Sequence, residues 1–184
     1  FIRAICYFSL VTAWENVPLV TEETSSLDPE SIHIPQSSPE LVYEQIVKDL
    51  IDAKSVLETK QGDGRATKGA AQALLGKVYL QMTGPPLNQT DKFALAATEL
   101  KGVMDSGVYS LLPVYADVFK IEFEQSSEIV FAAGLDGPGL EEGGNLSTFY
   151  GPTGNVNRGG GWGTCFANHE FALSYEKNDL RLVN

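Results

Sequence analysis

Two neighbouring segments of the chain carry apolar residues at helical spacing and are separated by only a short turn. The first segment has these residues at Val42, Ile46, Leu50, Ala53 and Leu57. Intervals of three and four place them on one face of a helix, and that face must be buried against a neighbouring element. Ser38 and Pro39 suit the start of this helix. Serine caps a first turn, and proline has no backbone N–H, a group that has no partner within the helix in the first turn.

The second segment begins at the capping residue Thr67 and ends before Gly84 and Pro85. Its residues available for packing are Ala70, Ala73, Leu74, Val78, Tyr79 and Met82. Small residues dominate its first half and allow a neighbouring helix to approach closely. The two segments therefore predict a pair of packed helices.

Further helices are predicted on both sides of this pair. One covers residues 1–14 and is broken by Pro18, before a surface loop over residues 21–38. Another covers residues 91–105 and ends at Gly107, which suits a left-handed terminator. The residues that this last helix is expected to bury are Phe93, Ala97, Leu100 and Met104.

Residues 75–79, Leu-Gly-Lys-Val-Tyr, match the Leu-Gly-x-x-Tyr part of the tetratricopeptide pattern. The match is partial, because no tryptophan stands three residues before Leu75 and the next loop is longer than a strict repeat permits. We therefore predict a mostly α fold, with irregular tetratricopeptide-like hairpins in residues 1–107.

The pattern changes in residues 108–184. The predicted elements are an extended stretch at residues 109–112, a helical turn at 115–119, a strand at 128–132 and a last helix at about 168–177. Eleven of the 18 glycines lie between Gly134 and Gly163. A long irregular region inside a compact fold is typical of a functional surface. We expect one domain with a helical portion, a loop-rich portion and a few short strands.

The charge of the chain argues against nucleic acid as a partner. With 24 acidic and 13 basic residues, the formal net charge is −11, which would repel phosphate backbones and anionic lipid headgroups. No stretch approaches the roughly 18 consecutive apolar residues of a membrane helix. Both ends of the chain are expected to be truncated. The chain starts without methionine and within a predicted helix, so the lack of a visible signal peptide says nothing about export.

Residues for catalysis or metal binding are scarce. Cys6 and Cys165 have no metal-binding or redox spacing, and Cys6 is expected in a helix core. His33 and His169 are the only histidines, so a hydrolytic triad or a zinc site has little support. Residues 62–69 superficially resemble a phosphate loop but lack its Gly-Lys-Ser/Thr ending. We therefore predict no catalytic residues, no metal ligands and no cofactor.

The glycine-rich region is better suited to binding sugars than to cleaving them. A glycosidase needs two carboxylates, and Glu141 and Glu142 lack the apolar surroundings that keep one carboxyl protonated. Sugars present apolar C–H faces ringed by hydroxyls, so aromatic rings stack on them while amide and guanidinium groups bind the rim. The candidate ligand-binding residues are Trp162, Tyr150, Asn155 and Arg158. Packing of the two rings onto the helices stays open as the alternative.

Seven segments, in order, resemble the SusD/RagB family. They are residues 1–4 (FIRA), 16–20 (NVPLV), 43–50 (YEQIVKDL), 65–80 (RATKGAAQALLGKVYL), 106–111 (SGVYSL), 127–131 (SEIVF) and 175–181 (YEKNDLR). Each segment alone is weak, but the ordered set covers essentially the whole chain. Asn16 replaces the family's usual glycine, Trp14 a smaller residue, and Leu180 the proline of its Asp-Pro-Arg. These departures concern packing and turns.

The resemblance implies a mostly helical SusD-like fold and a surface-exposed outer-membrane lipoprotein. Such a protein would bind an oligosaccharide or polysaccharide and deliver it to a SusC-like TonB-dependent transporter, without catalysing a reaction. Its lipid-bearing cysteine would lie upstream of this chain, since neither Cys6 nor Cys165 is placed to serve. A helical-hairpin scaffold that binds another protein is the alternative function, and a glycoside hydrolase is a more distant one.

Overall fold

The structure is a computed structural model that describes residues 1–24, 26–60, 64–134, 150, 153, 161–164, 168–179 and 181. The helices in this part of the chain are α1 (Ile2–Trp14), α2 (Pro29–Ile32), α3 (Pro39–Val56), α4 (Lys68–Met82), α5 (Lys92–Asp105) and α6 (His169–Leu173). Two 3-10 turns cover Tyr115–Phe119 and Ile121–Phe123. Strand β1 (Val17–Pro18) pairs antiparallel with β2 (Gln36–Ser37). The predicted mostly α class with few short strands is confirmed.

The backbone divides into two compact units. The first comprises Phe1–Leu111 and Ser127–Phe131, and the second comprises Leu112–Ser126 and Ala132–Asn184. Among the described residues, the long helices lie in the first unit, whereas α6 and the two 3-10 turns lie in the second.

The core of the first unit lies between α1, α3 and α4. The side chains that are fully buried there are Val42, Ile46 and Leu50 of α3 and Leu75 and Val78 of α4. These α3 residues follow the predicted spacing, since a helix that packs on one side buries every third or fourth residue. Each such side chain contributes about 1.5–3 kcal/mol through burial. The Phe8 ring of α1 packs edge-on against Tyr43, with the ring centroids 6.3 Å apart.

Helix α4 begins at the predicted cap and packs closely on α5. The Thr67 hydroxyl oxygen accepts a hydrogen bond from the Ala70 backbone N–H at 3.1 Å, which satisfies a donor in the first turn. A Cβ atom added at Gly76 would lie 2.7 Å from Leu100 Cγ. The small residues of α4 therefore allow close helix contact, as the sequence predicts.

The predicted buried face of α5 is wrong at Phe93, Ala97 and Met104, whereas Leu100 is half-buried against α4. The structure buries Ala96 and Val103, whereas Phe93 is 53% exposed and Met104 is 76% exposed. Because Gly76 leaves space at one point of α4, the residues that face it are Leu100 and Ala96. This contact turns the larger side chains Phe93 and Met104 toward solvent.

Three smaller expectations are also corrected. Cys6 is exposed rather than in the core, because the buried residues of α1 are Ala4, Phe8 and Val11. Residues 128–132 form no strand, since the backbone bond from Ser110 N–H to the Ser127 carbonyl, at 3.0 Å, is not continued as a ladder. Helix α6 is shorter than predicted. Its first turn is capped by the Asn168 side chain, which accepts from the Glu170 N–H at 2.9 Å.

Candidate functional site

The second unit exposes several large aromatic side chains. The exposed rings among its described residues are those of Tyr115, Phe119, Tyr150, Trp162 and Phe171. A single exposed ring is ordinary on a protein surface, whereas several in one small unit indicate a binding surface. Trp162 is 63% exposed and Tyr150 is 57% exposed. Both predicted stacking residues are therefore accessible to a ligand.

The backbone next to Trp162 contacts Thr153. Gly163, which follows Trp162, has a φ of +63°, a left-handed conformation that glycine adopts without strain. A Cβ atom at Gly163 would lie 2.9 Å from Thr153 Cγ2, so Thr153 packs directly against this backbone.

The other predicted site residues, Asn155 and Arg158, lie outside the described residues. The same holds for Glu141, Glu142 and Cys165. Their roles stay predictions from the sequence.

Two pairs of aromatic rings in the second unit were not predicted as pairs from the sequence. The Tyr115 and Phe119 rings pack edge-on with centroids 5.4 Å apart, and so do Phe171 and Tyr175 at the same distance. Both pairs are four residues apart, a spacing at which helical side chains meet. This spacing is the sequence signal that could have identified them.

An arginine and an aspartate extend the second of these pairs. The Arg181 guanidinium lies 5.3 Å from the centroid of the Tyr175 ring, within range of a cation–π interaction. Arg181 also donates to both carboxylate oxygens of Asp179, at 2.9 and 3.1 Å from Nε. These hydrogen bonds lower the pKa of Asp179 to about 2. The arrangement places a guanidinium beside the half-buried Tyr175 ring.

The described residues include titratable groups whose pKa values are shifted. The carboxyl groups there whose pKa is shifted are Glu40, Asp49 and Asp179, and all three pKa values are lowered. A general acid for glycoside cleavage needs the opposite shift. Across the described ranges, three or more His, Cys, Asp or Glu side chains do not gather in a metal-binding group. Within the same ranges, each helix is too short or too polar to cross a membrane.

Residues 1–80 match a SusD-like family model described as starch-binding associating with outer membrane. The SusD-like protein P25 of Formosa agariphila is 30% identical over 136 residues, which are 72% of this chain and 24% of that protein. The chain thus spans about a quarter of the length of the curated relatives it matches.

Solved structures share the fold as well as the sequence. A laminarin-binding SusD-like protein is 34% identical, with a TM-score of 0.60 over 71% of this chain and 28% of that one. A structure solved with a xylogluco-oligosaccharide is 27% identical, with a TM-score of 0.66 over 73% of this chain and 28% of that one. The helical arrangement described above is therefore that of SusD-like structures.

Proposed function

The chain belongs to the SusD-like family, and from this premise we propose that it binds a glycan and catalyses no reaction. The observation that carries the proposal is the exposure of both Trp162 and Tyr150 in the second unit. Two exposed rings suit the stacking of sugar units. The laminarin-binding relative and the structure with a xylogluco-oligosaccharide support a glycan as the ligand class.

Within this proposal, each predicted residue has a distinct role. Trp162 stacks on the apolar face of a sugar ring, and Tyr150 provides a second platform with a hydroxyl. Asn155 and Arg158 bind the sugar hydroxyls, because an amide both donates and accepts while a guanidinium donates in fixed directions. Arg181, which lies over Tyr175 and donates to Asp179, is a further candidate donor for sugar hydroxyls.

We propose further that the protein delivers the glycan to a SusC-like TonB-dependent transporter at the cell surface. The family description, which includes association with the outer membrane, supports this location. Contact with the membrane would come from a lipid anchor upstream of residue 1. Co-purification with a transporter protein from outer-membrane extracts tests this part independently of glycan binding.

Affinity electrophoresis of the chain in gels that contain laminarin, xyloglucan or starch tests the glycan proposal. We expect slower migration with at least one polysaccharide than in a gel without polysaccharide. A parallel assay for reducing ends should detect no product. Release of reducing sugar would instead support a glycoside hydrolase, and retention only by a transporter protein would support a protein-binding scaffold.

A further inference from the structure

A polar cleft lies between the start of α4 and the end of α5, within the first unit. Its volume is about 300 Å³, which is at the lower end of the range for small-molecule sites and suits about one sugar unit. The polar side chains that line it are Thr59, Lys68, Gln72, Ser106 and Tyr109. The glycan surface proposed above uses none of them.

Two glycines give this cleft its shape. A Cβ atom at Gly69 would overlap the Tyr109 ring, and a Cβ atom at Gly102 would overlap the Gln72 side-chain amide. The Tyr109 ring therefore lies directly on the backbone of α4, and the Gln72 amide lies on that of α5. Gly102 stands in the interior of α5, where glycine weakens a helix, so its place is explained by the close approach of Gln72.

A hydrogen bond fixes the tyrosine at the edge of the cleft. The hydroxyl oxygens of Tyr109 and Thr67 are 3.0 Å apart. Thr67 is itself held by the hydrogen bond that it accepts from the Ala70 N–H. Tyr109 is thus positioned by the cap of α4.

The charge of the lining differs from that of the whole chain. The chain carries 24 acidic residues and a net charge of −11, yet the described residues that line the cleft include Lys68 and no carboxylate. Lys68 forms no ion pair with any residue that the structure describes. Of the described acidic residues that adjoin the lining in sequence, Glu58 is not part of the lining and Asp105 pairs with Lys101 at 2.8 Å.

We propose that this cleft binds a sugar unit that carries a carboxylate, such as the uronate of an acidic glycan. The Lys68 ammonium pairs with the carboxylate of the ligand. The described residues of the lining include no acidic side chain that would repel this carboxylate. The Gln72 amide and the hydroxyls of Thr59 and Ser106 both donate and accept, and so they match the sugar hydroxyls. The site lies in the first unit and stands whether or not Trp162 binds a glycan.

Titration of the chain with glucuronate, glucose and acetate, followed by NMR of the Gly69 and Gly102 amide signals, tests the proposal. We expect glucuronate to shift both signals and to bind about tenfold more tightly than glucose or acetate. Lys68→Gln should weaken glucuronate binding about tenfold, and Gln72→Ala should also weaken it. Lys48→Gln, which changes an exposed lysine of α3 outside the lining, should leave binding unchanged.

Each other outcome contradicts a named part of the proposal. Equal binding of acetate would reveal a simple anion site, and equal binding of glucose would reveal a neutral sugar site. Absence of shifts at tens of millimolar glucuronate would overturn the cleft as a binding site. Circular dichroism of each variant separates lost binding from lost folding, and Lys68→Gln alone decides the result if Gln72→Ala does not fold.

Discussion

The Arg3 guanidinium binds both carboxylate oxygens of Asp49, with Nε and Nη2 each 2.6 Å from their acceptors. This bidentate pair joins α1 to α3. Gln45 donates a further hydrogen bond to Asp49 at 2.7 Å, and Arg3 donates another to the Thr21 carbonyl at 3.2 Å. The Arg3 side chain is 43% exposed and that of Asp49 is 9% exposed. Arg3 therefore ties α1 both to α3 and to the segment that follows β1.

We expect Asp49→Asn to lower the free energy of unfolding by about 1 kcal/mol at neutral pH. The hydrogen bond from Arg3 lowers the pKa of Asp49 in the folded protein. Its stabilising contribution is therefore fully present above the unfolded-state pKa, near 3.8, and is lost as the pH falls through the lower folded-state pKa. The unchanged protein and the Asp49→Asn variant should be unfolded with urea at several pH values from neutral to strongly acidic. The difference between their free energies of unfolding should shrink only in acid.

Asp52→Asn is the matched control for this pair. Asp52 lies on the same helix but is exposed, and we expect its substitution to change stability by less than about 0.5 kcal/mol. Equal losses in the two variants, or a difference that persists unchanged in acid, would contradict a stabilising role for the Arg3–Asp49 pair.

Leu75→Ala should lower the free energy of unfolding by about 2–5 kcal/mol, because it removes a fully buried side chain and leaves a cavity. Leu80→Ala, at an exposed position of the same helix, controls for the change in helix propensity. Its effect should stay below about 1 kcal/mol. Chemical denaturation measures both, and similar losses would contradict the packing of α4 described above.

Gly76→Ala should destabilise the protein by about 1–3 kcal/mol, although alanine is the better helix former. The new methyl group would lie 2.7 Å from Leu100 Cγ and 3.4 Å from the Ala96 carbonyl oxygen. Relief would require α5 to move away from α4. Gln81→Ala, at an exposed site of α4, provides the comparison without a clash. An increase in melting temperature for Gly76→Ala would show that the two helices pack less closely.

The sequence predicts a helix well where its neighbours cover the face that periodicity selects. In α3 the spacing alone identified Val42, Ile46 and Leu50, because one apolar face is clear and α1 and α4 bury it. In α5 the apolar residues span two overlapping faces. The face of α5 that is buried is the one that packs on Gly76 of α4. The spacing of apolar residues within α5 cannot predict the position of a glycine on another helix.

The candidate site shows the same division. Aromatic, amide and glycine content pointed to the region and to Trp162 and Tyr150, which are 63% and 57% exposed in the structure. The contact between Thr153 and Gly163 is tertiary. The contact depends on the left-handed backbone of Gly163 and on Thr153, a neighbour ten residues away in the sequence. Amino-acid composition predicts neither of these two features.

We expect glycan binding to be insensitive to chelators. The described residues contain no group of three or more potential metal ligands, and the proposed contacts are aromatic stacking and hydrogen bonds, which need no ion. Affinity electrophoresis with and without EDTA measures this directly. Loss of retardation in EDTA, restored by calcium, would show that a metal ion takes part in binding.

Trp162→Ala should weaken glycan binding by about 1–3 kcal/mol, the range for loss of a desolvated aromatic anchor, and should change thermal stability little. The small effect on stability follows because the Trp162 side chain is 63% exposed, so truncation removes little buried surface. Trp14→Ala is the matched control, since Trp14 is similarly exposed but lies on α1 in the first unit. That variant should bind the glycan as the unchanged chain does. Unchanged affinity together with a large drop in melting temperature for Trp162→Ala would mean that the ring packs onto the protein instead of stacking on a sugar.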